Sequence, residues 1–171
     1  VLYSMTKPLV QRWHKRIHGR IAVSQTAKHC IANHFPGNYH IIPNGIDTNH
    51  FADSANPLPE FSDGKINLLF VGRLEKKKGL KYLLIAFKHV RRIYPNIRLI
   101  IVGPGKLDSE CSEIVKSINS EDVVIIGEVS YHRLPRYYVS AHVFCCPSTG
   151  PESFGIVLLE AMASGIPVIA S

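Results

Sequence analysis

Acidic residues are missing from the first 46 positions of this 171-residue chain, whereas Lys7, Arg12, Lys15, Arg16, Arg20 and Lys28 all fall there. The net charge of +7 is therefore gathered toward one end. An anionic lipid surface, a nucleic acid, or a charge balance completed elsewhere in a longer protein would each suit that asymmetry. No RNP, KH, zinc-finger or helix-turn-helix signature accompanies the charge, so no nucleic-acid partner is expected. Long apolar runs are missing too. Ile66–Val71, Ile97–Val102 and residues 123–126 are the most apolar stretches, and all fall far short of the roughly 18 residues of a membrane span. Val1-Leu2-Tyr3-Ser4 lacks the order of a signal peptide, which makes a cytoplasmic chain the expectation.

Cysteine is scarce. Cys30, Cys111, Cys145 and Cys146 show no C-x-x-C spacing, and the adjacent pair sits in an apolar run, so buried reduced thiols are expected rather than disulfides or a zinc site. Among the nine histidines, His14 and His18 lie one helical turn apart, but no Cys or carboxylate stands near to complete a metal shell. A solvated helix face is the reading there. Nucleotide-binding fingerprints are also incomplete. Val102-Gly103-Pro104-Gly105-Lys106 lacks the third glycine of a dinucleotide turn, and no G-x-x-x-x-G-K-[ST] occurs. That segment reads as a strand-to-helix turn in which glycine supplies backbone freedom.

What is present is a globular composition, 46% hydrophobic and 19% charged, with strand-length apolar runs alternating with helical periods. Helices are expected over residues 8–18 and 24–34, with Ser24 as N-cap, and strands over 20–23 and 39–42. Asp53 to Gly64 collects Ser, Asn, Pro and Asp without periodicity and reads as a linker. Beyond it, strands are expected at Ile66–Val71, Ile97–Val102, 123–126, 142–146 and 167–170. Helices are expected at 79–94, 108–118, 134–140 and 155–164. Leu80, Leu83, Leu84, Phe87 and Val90 supply the apolar stripe of the first of these. Continuous Val/Ile/Leu strands imply a parallel sheet with helices on both faces. The expected organisation is a tail of one α/β domain over residues 1–52, a linker over 53–64, and a Rossmann-like domain over 65–171. Both ends read as cut from a longer protein.

Ligands of such sheets bind beyond the carboxyl ends of the strands. Gly72-Arg73-Leu74-Glu75-Lys76-Lys77-Lys78-Gly79 follows one strand and offers an Arg fork and a Lys point charge ahead of a helix, a setting for a diphosphate or simply a solvated basic turn. A second loop, Pro147-Ser148-Thr149-Gly150-Pro151-Glu152-Ser153-Phe154-Gly155, leads into a helix whose first amides are open to an anion. Glu152 and Glu160 could bind hydroxyls of two sugars. Alternatively Glu152 caps the helix and Glu160 is a surface charge, although an acid within Ile156-Val157-Leu158-Leu159 fits that less well.

Four motifs in order, Phe70-Val71-Gly72-Arg73 with Lys78-Gly79, Glu152-Ser153-Phe154-Gly155-x4-Glu160-Ala161-Met162, Ile42-Pro43-Asn44-Gly45-Ile46-Asp47 and Gly165-Ile166-Pro167-Val168, resemble a family-four retaining glycosyltransferase of the GT-B fold. The likeness runs from about Arg20 to Ser171, and residues 7–24 are most similar to the phosphatidylinositol mannosyltransferase group. The resemblance implies transfer of a hexose, mannose favoured, from GDP-mannose or a UDP-hexose to a lipid or glycan acceptor. Arg73, Lys78 and Glu152 would be catalytic, the first two neutralising the departing diphosphate and Glu152 contacting sugar hydroxyls. Glu160 would bind the ribose, and the amides of Phe154, Gly155 and Ile156 the sugar or phosphate. Gly127-Glu128-Val129 would lie against the base, and Gly72, Ser153 and Val157 complete the donor-binding set. No D-x-D occurs, in keeping with a site that needs neither metal nor cofactor. The first domain's glycine-rich loop and histidine have no counterpart here, so the chain alone is expected to bind donor weakly and transfer nothing. A non-catalytic sugar-binding module of the same fold is the alternative. Residues 7–28 could rest on an anionic membrane surface, which would make the enzyme peripheral on the inner face.

Overall fold

The computed structural model describes residues 16–52, 56–118, 120–150 and 152–171. The helix expected over 8–18 lies mostly outside these residues, as do Lys7, Arg12, His14 and Lys15, while Arg16, Ile17 and His18 are not helical. The chain divides into two compact units, Val1–Gly45 with Pro151–Gly155, and Ile46–Gly150 with Ile156–Ser171.

In the first unit, strands β1 (Ile21–Ala22) and β2 (His40–Ile41) pair in parallel on either side of helix α1 (Gln25–Ala32) in the sequence. Ser24 caps α1 as its sequence position implies, its hydroxyl oxygen accepting from the Ala27 N–H at 3.0 Å. This satisfies one of the amides a helix start leaves unpaired. Cys30, expected to be buried, is exposed because α1 buries none of its residues fully.

The second unit begins ahead of the expected linker with helix α2 (Thr48–Ala52). Five residues are too few for a periodic signal, and the helix is held instead by its cap and by one anchor. The Asp47 carboxylate accepts from the His50 N–H at 3.1 Å, and Phe51 is wholly buried. Residues 56–64 are packed rather than extended as a spacer. Leu58 and Phe61 are buried, and the Leu58 N–H donates to the Ser140 hydroxyl at 2.8 Å.

The sheet of this unit comprises β3 (Ile66–Val71), β4 (Ile97–Val102), β5 (Val123–Gly127), β6 (Val143–Cys146) and β7 (Val168–Ala170). All pairings are parallel and the order is β5-β4-β3-β6-β7. Between the strands run α3 (Leu80–Ile93), α4 (Ser109–Lys116), α5 (Leu134–Val139) and α6 (Ile156–Ala163). Because successive strand side chains point to opposite faces, each strand from β3 to β6 feeds two cores, whereas β7 adds only Val168 to one of them and leaves Ile169 63% exposed. Leu69, Ile100, Val102, Phe144 and Cys146 meet Phe51 of α2, Tyr137 and Tyr138 of α5 and Ala161 of α6. Phe70, Leu99, Ile101 and Cys145 meet Leu80, Leu83, Leu84 and Phe87 of α3 and Cys111 of α4. Helices thus cover both faces. Val90, expected on the apolar stripe of α3, is 41% exposed. At about 100° per residue it has drifted roughly 80° from Leu80.

At the amino ends of the strands, the buried Asp122 carboxylate pairs with Lys65 at 3.0 Å and with Arg91. Arg98 pairs with Asp63 there, and the buried Asn67 amide donates to the carbonyls of Phe61 at 2.7 Å and Ser140 at 2.9 Å. No helix among the described residues is long and apolar enough to cross a membrane.

Candidate functional site

The strand order reverses between β3 and β6: the chain leaves β3 toward β4 and β5, then returns to the other side for β6 and β7. Such a switch point opens a crevice beyond the carboxyl ends of the two strands. The loops that leave those ends are the two singled out by sequence.

Gly72 begins the first loop, and its N–H donates to the Val102 carbonyl at 2.9 Å. The Leu74 N–H donates to the Pro104 carbonyl at 3.0 Å, so the loop runs along the exit of β4. Gly103 makes that approach possible. At φ 142° a Cβ there would stand 2.0 Å from the Gly72 oxygen, so residues 103–106 are a turn whose glycine the backbone requires. The Gly103 N–H in turn donates to the Gly127 carbonyl at 2.8 Å, linking the exit of β5.

Lys76–Lys78 form a single 3-10 turn closed by Gly79 in the left-handed region, φ 70°. The Thr149 N–H donates to the Lys77 carbonyl at 2.9 Å, so the loops after β3 and β6 are joined. The Lys78 stem passes over Gly72, its Cδ 4.0 Å from where a Gly72 Cβ would be. Arg73 is 62% exposed and its guanidinium lies 2.9 Å from Glu75 Oε1, while Lys77 Nζ lies 3.3 Å from Glu75 Oε2. Gly72, Arg73 and Lys78 therefore share one loop, held by Thr149 and braced by Glu75, whose bridging position no sequence feature marked.

Glu160, on α6, is not a surface charge. It is 7% exposed, and its Oε2 accepts from the Tyr138 hydroxyl at 2.8 Å. Burial holds its carboxyl above the usual range, while the Tyr138 hydrogen bond and the His50 charge oppose that rise. Val157 and Val129 pack against the same core, Glu128 is exposed, and Ile156, the first residue of α6, is 42% exposed.

Glu152, Ser153, Phe154 and Gly155 belong to the first unit. There the Ser153 carbonyl accepts from the Ser24 hydroxyl at 2.6 Å. Ser24 thus both caps α1 and tethers the Glu152 segment. Tyr138, Thr149 and Ser24 are the partners that sequence reasoning missed as site residues. Tyr138 lies in a short helix whose apolar neighbours gave only a core signal.

The chain matches the family described as Glycosyl transferases group 1 over residues 54–171. It is 36% identical, over 98% of its length, to the phosphatidyl-myo-inositol mannosyltransferase of Mycobacterium leprae, of which it covers 44%. In fold it is similar to the crystal structure of Anabaena Alr3699/HepE in complex with UDP and glucose, with a TM-score of 0.78 and 23% identity over 97% of this chain and 48% of that one. It is also similar to the C-terminal domain of the group 1 family protein LpcC from Francisella tularensis, with a TM-score of 0.63 and 27% identity over 74% and 70% of the two chains. The chain spans less than half the length of the mycobacterial relative. The sheet, its two helical layers and these likenesses agree: the chain belongs to the group 1 glycosyltransferases, and its parallel-sheet architecture is of the GT-B kind.

Proposed function

We propose that the intact protein is a retaining glycosyltransferase, moving a hexose from a nucleoside-diphosphate sugar to a lipid or glycan acceptor, and that this chain carries the donor site. The observation that supports this most is the joining of the two switch-point loops by the Thr149 to Lys77 hydrogen bond at 2.9 Å, with Arg73 and Lys78 on the joined segment. Fixed cationic groups of this kind stabilise a leaving diphosphate, where negative charge grows as the sugar departs. Arg73 and Lys78 take that role. Glu152 contacts the sugar hydroxyls, Glu160 the ribose, and the amides of Phe154, Gly155 and Ile156 the sugar or phosphate. Gly127 and Val129 border the base, with Gly72, Ser153 and Val157 completing the donor contacts.

In the transfer, the bond from the anomeric carbon to the diphosphate oxygen breaks, a bond to the acceptor oxygen forms on the same face, and the acceptor hydroxyl's proton passes to the departing diphosphate. No second carboxylate is assigned as nucleophile, unlike a covalent retaining hydrolase, and no metal or cofactor is needed beside Arg73 and Lys78. Mannose from GDP-mannose is the first choice of donor, in line with the name of the mycobacterial relative. A UDP-hexose is the second, in line with the UDP and glucose of the Anabaena complex. The phosphatidyl-myo-inositol in the relative's name is in line with a lipid acceptor, and the basic residues 7–28 are in line with peripheral attachment to the cytoplasmic membrane face.

Calorimetric titration of the full-length protein with GDP, UDP, ADP and their sugar conjugates tests the reading. One series should bind, and Lys78→Ala should abolish or sharply weaken that binding. Equal affinity in wild type and Lys78→Ala would remove the diphosphate assignment. Vesicle co-sedimentation that is indifferent to anionic lipid and salt would remove the membrane assignment.

A further inference from the structure

Tyr138 is wholly buried, yet its hydroxyl reaches a carboxylate of the proposed donor site. It stands 2.8 Å from Glu160 Oε2 and 3.4 Å from the Val157 carbonyl. A phenol has one proton to donate, and the shorter, charged acceptor takes it. The ring has little freedom to move. Phe51 of α2 packs edge-on to it at 5.7 Å, and Phe144 of β6 packs tilted at 5.6 Å.

From these contacts we infer that Tyr138 is the positioning residue for Glu160: it ties up Oε2 and turns Oε1 toward the vicinal hydroxyls of the donor's ribose. This rests on the reading of Glu160 as the ribose ligand. An ionised carboxylate is acceptor-only, so a fixed, ionised Glu160 suits a diol, whereas a protonated one would present a donor of its own.

The surroundings favour such a role. Burial, then the Glu160 charge, hold the Tyr138 phenol far above its ordinary range, so it remains a donor at any working pH. Tyr138 itself comes from α5, and His50 comes from α2, its charge lowering the Glu160 carboxyl. From β6, the Cys146 thiol bears on the phenol. His50 is fixed in turn, stacked on Tyr131 at 4.4 Å with its Nε2 3.2 Å from the Tyr131 carbonyl. Among the causes that oppose the rise of the Glu160 carboxyl on burial, the Tyr138 hydrogen bond comes first and His50 second.

The test compares wild type, Tyr138→Phe and Glu160→Gln in the full-length protein, with GDP and UDP and their 2′- and 3′-deoxy analogues as probes across pH 5 to 8. Wild type should prefer the ribonucleotide, and Glu160→Gln should lose that preference. Tyr138→Phe removes one oxygen and keeps the ring packing, and it should cut the preference roughly tenfold. It should also move the acid limb of binding to higher pH, because the carboxylate has lost a donor that favours ionisation. A merely structural role would leave that limb in place. Replacement of Tyr138 by 3-fluorotyrosine, a stronger donor of nearly the same shape, should move the limb the other way and guards against a folding defect in the Phe variant. Wild-type preference and an unmoved limb in both variants would overturn the inference while Glu160→Gln still supports the ribose reading. Absence of any ribose preference in wild type would overturn the ribose reading and the inference together.

Discussion

Gly79 lies so close to Pro147 that a Cβ at Gly79 would come within 1.7 Å of the Pro147 carbonyl oxygen. This contact and the hydrogen bond from the Thr149 N–H to the Lys77 carbonyl, 2.9 Å long, make one rigid rim from the loops that leave β3 and β6. The rim presents Arg73 and Lys78. A glycine that the resemblance marked only as part of a Lys-Gly pair thus has a steric duty of its own, since both its φ of 70° and its distance to Pro147 exclude a side chain.

Gly79→Ala should therefore act twice. The left-handed conformation alone costs about 1–2 kcal/mol for a residue with a Cβ, and the collision with backbone rather than a flexible side chain forces the two loops apart. Urea unfolding should show a loss of at least that size, and nucleoside-diphosphate affinity should fall more than stability does. Affinity equal to wild type would mean that the rim does not position the cations.

Glu75→Gln should separate binding from stability. Glu75 bridges Arg73 at 2.9 Å and Lys77 at 3.3 Å, and all three side chains are well exposed. Pairs of that kind contribute about 0–1 kcal/mol to stability, so the melting temperature should stay nearly unchanged. Freed from the carboxylate, Arg73 should hold a diphosphate several-fold more tightly in low salt, with the gain shrinking as salt screens it. In contrast, Lys78→Ala and Glu152→Ala should each lower sugar transfer by orders of magnitude in the full-length protein. Transfer assays and calorimetry on the same set of variants would expose any other order of effects.

The sheet was legible because its signals are local and redundant. Strands β3 to β6 are largely apolar runs, broken by Asn67 in β3 and Arg98 in β4, and α3 announces itself through Leu80, Leu83, Leu84 and Phe87, all buried. Ser24 was legible as a cap, but not as the donor to Ser153, 129 residues away in sequence. The same limit applies to Glu160. Its anomaly within an apolar run was visible, whereas Tyr138 as its partner was not, since no spacing rule relates residues on separate helices. Helix α2 escaped for another reason: it is five residues long and rests on the Asp47 cap and the single anchor Phe51. The basic loop was legible in charge and illegible in pairing, because Glu75 reads as one more member of a charge run until its two partners are seen.

Thiol chemistry offers a check on the packing. Cys30 is exposed, and Cys111, Cys145 and Cys146 are buried and unpaired. Burial, aided by the Asp108 carboxylate, pushes the Cys111 thiol up to about 11. Burial and the neighbouring Cys146 do the same for Cys145, also to about 11. As the thiolate is the nucleophile, a disulfide reagent near neutral pH should label Cys30 rapidly and the other three only after unfolding. Peptide mapping after a brief exposure should find one modified site. Rapid labelling of Cys111 or Cys145 would contradict the two-core packing of the sheet.

The amino ends of the strands give a prediction whose sign can be worked out. Arg98, on β4, is 8% exposed at its side chain and pairs with Asp63. It also lies over the Phe61 ring at 5.5 Å. The hydrogen bond from Arg98 is the largest cause holding the Asp63 carboxyl below its ordinary 3.8. A carboxyl with a depressed value in the folded state binds its proton more readily once unfolded, so its contribution to stability is present above 3.8 and is lost as pH falls through the folded value. Asp63→Asn should accordingly be less stable than wild type near neutral pH, and the gap should close as the solution is taken well below pH 3.8. Urea midpoints for both proteins at pH 7, 5, 4 and 3 would trace it. Because Asp63 and Arg98 sit at the end of the sheet opposite the switch-point loops, nucleotide affinity at neutral pH should be the same in both proteins. A stability gap that did not narrow at all as the pH fell from 5 to 3 would assign the effect of Asp63 to packing rather than to its charge.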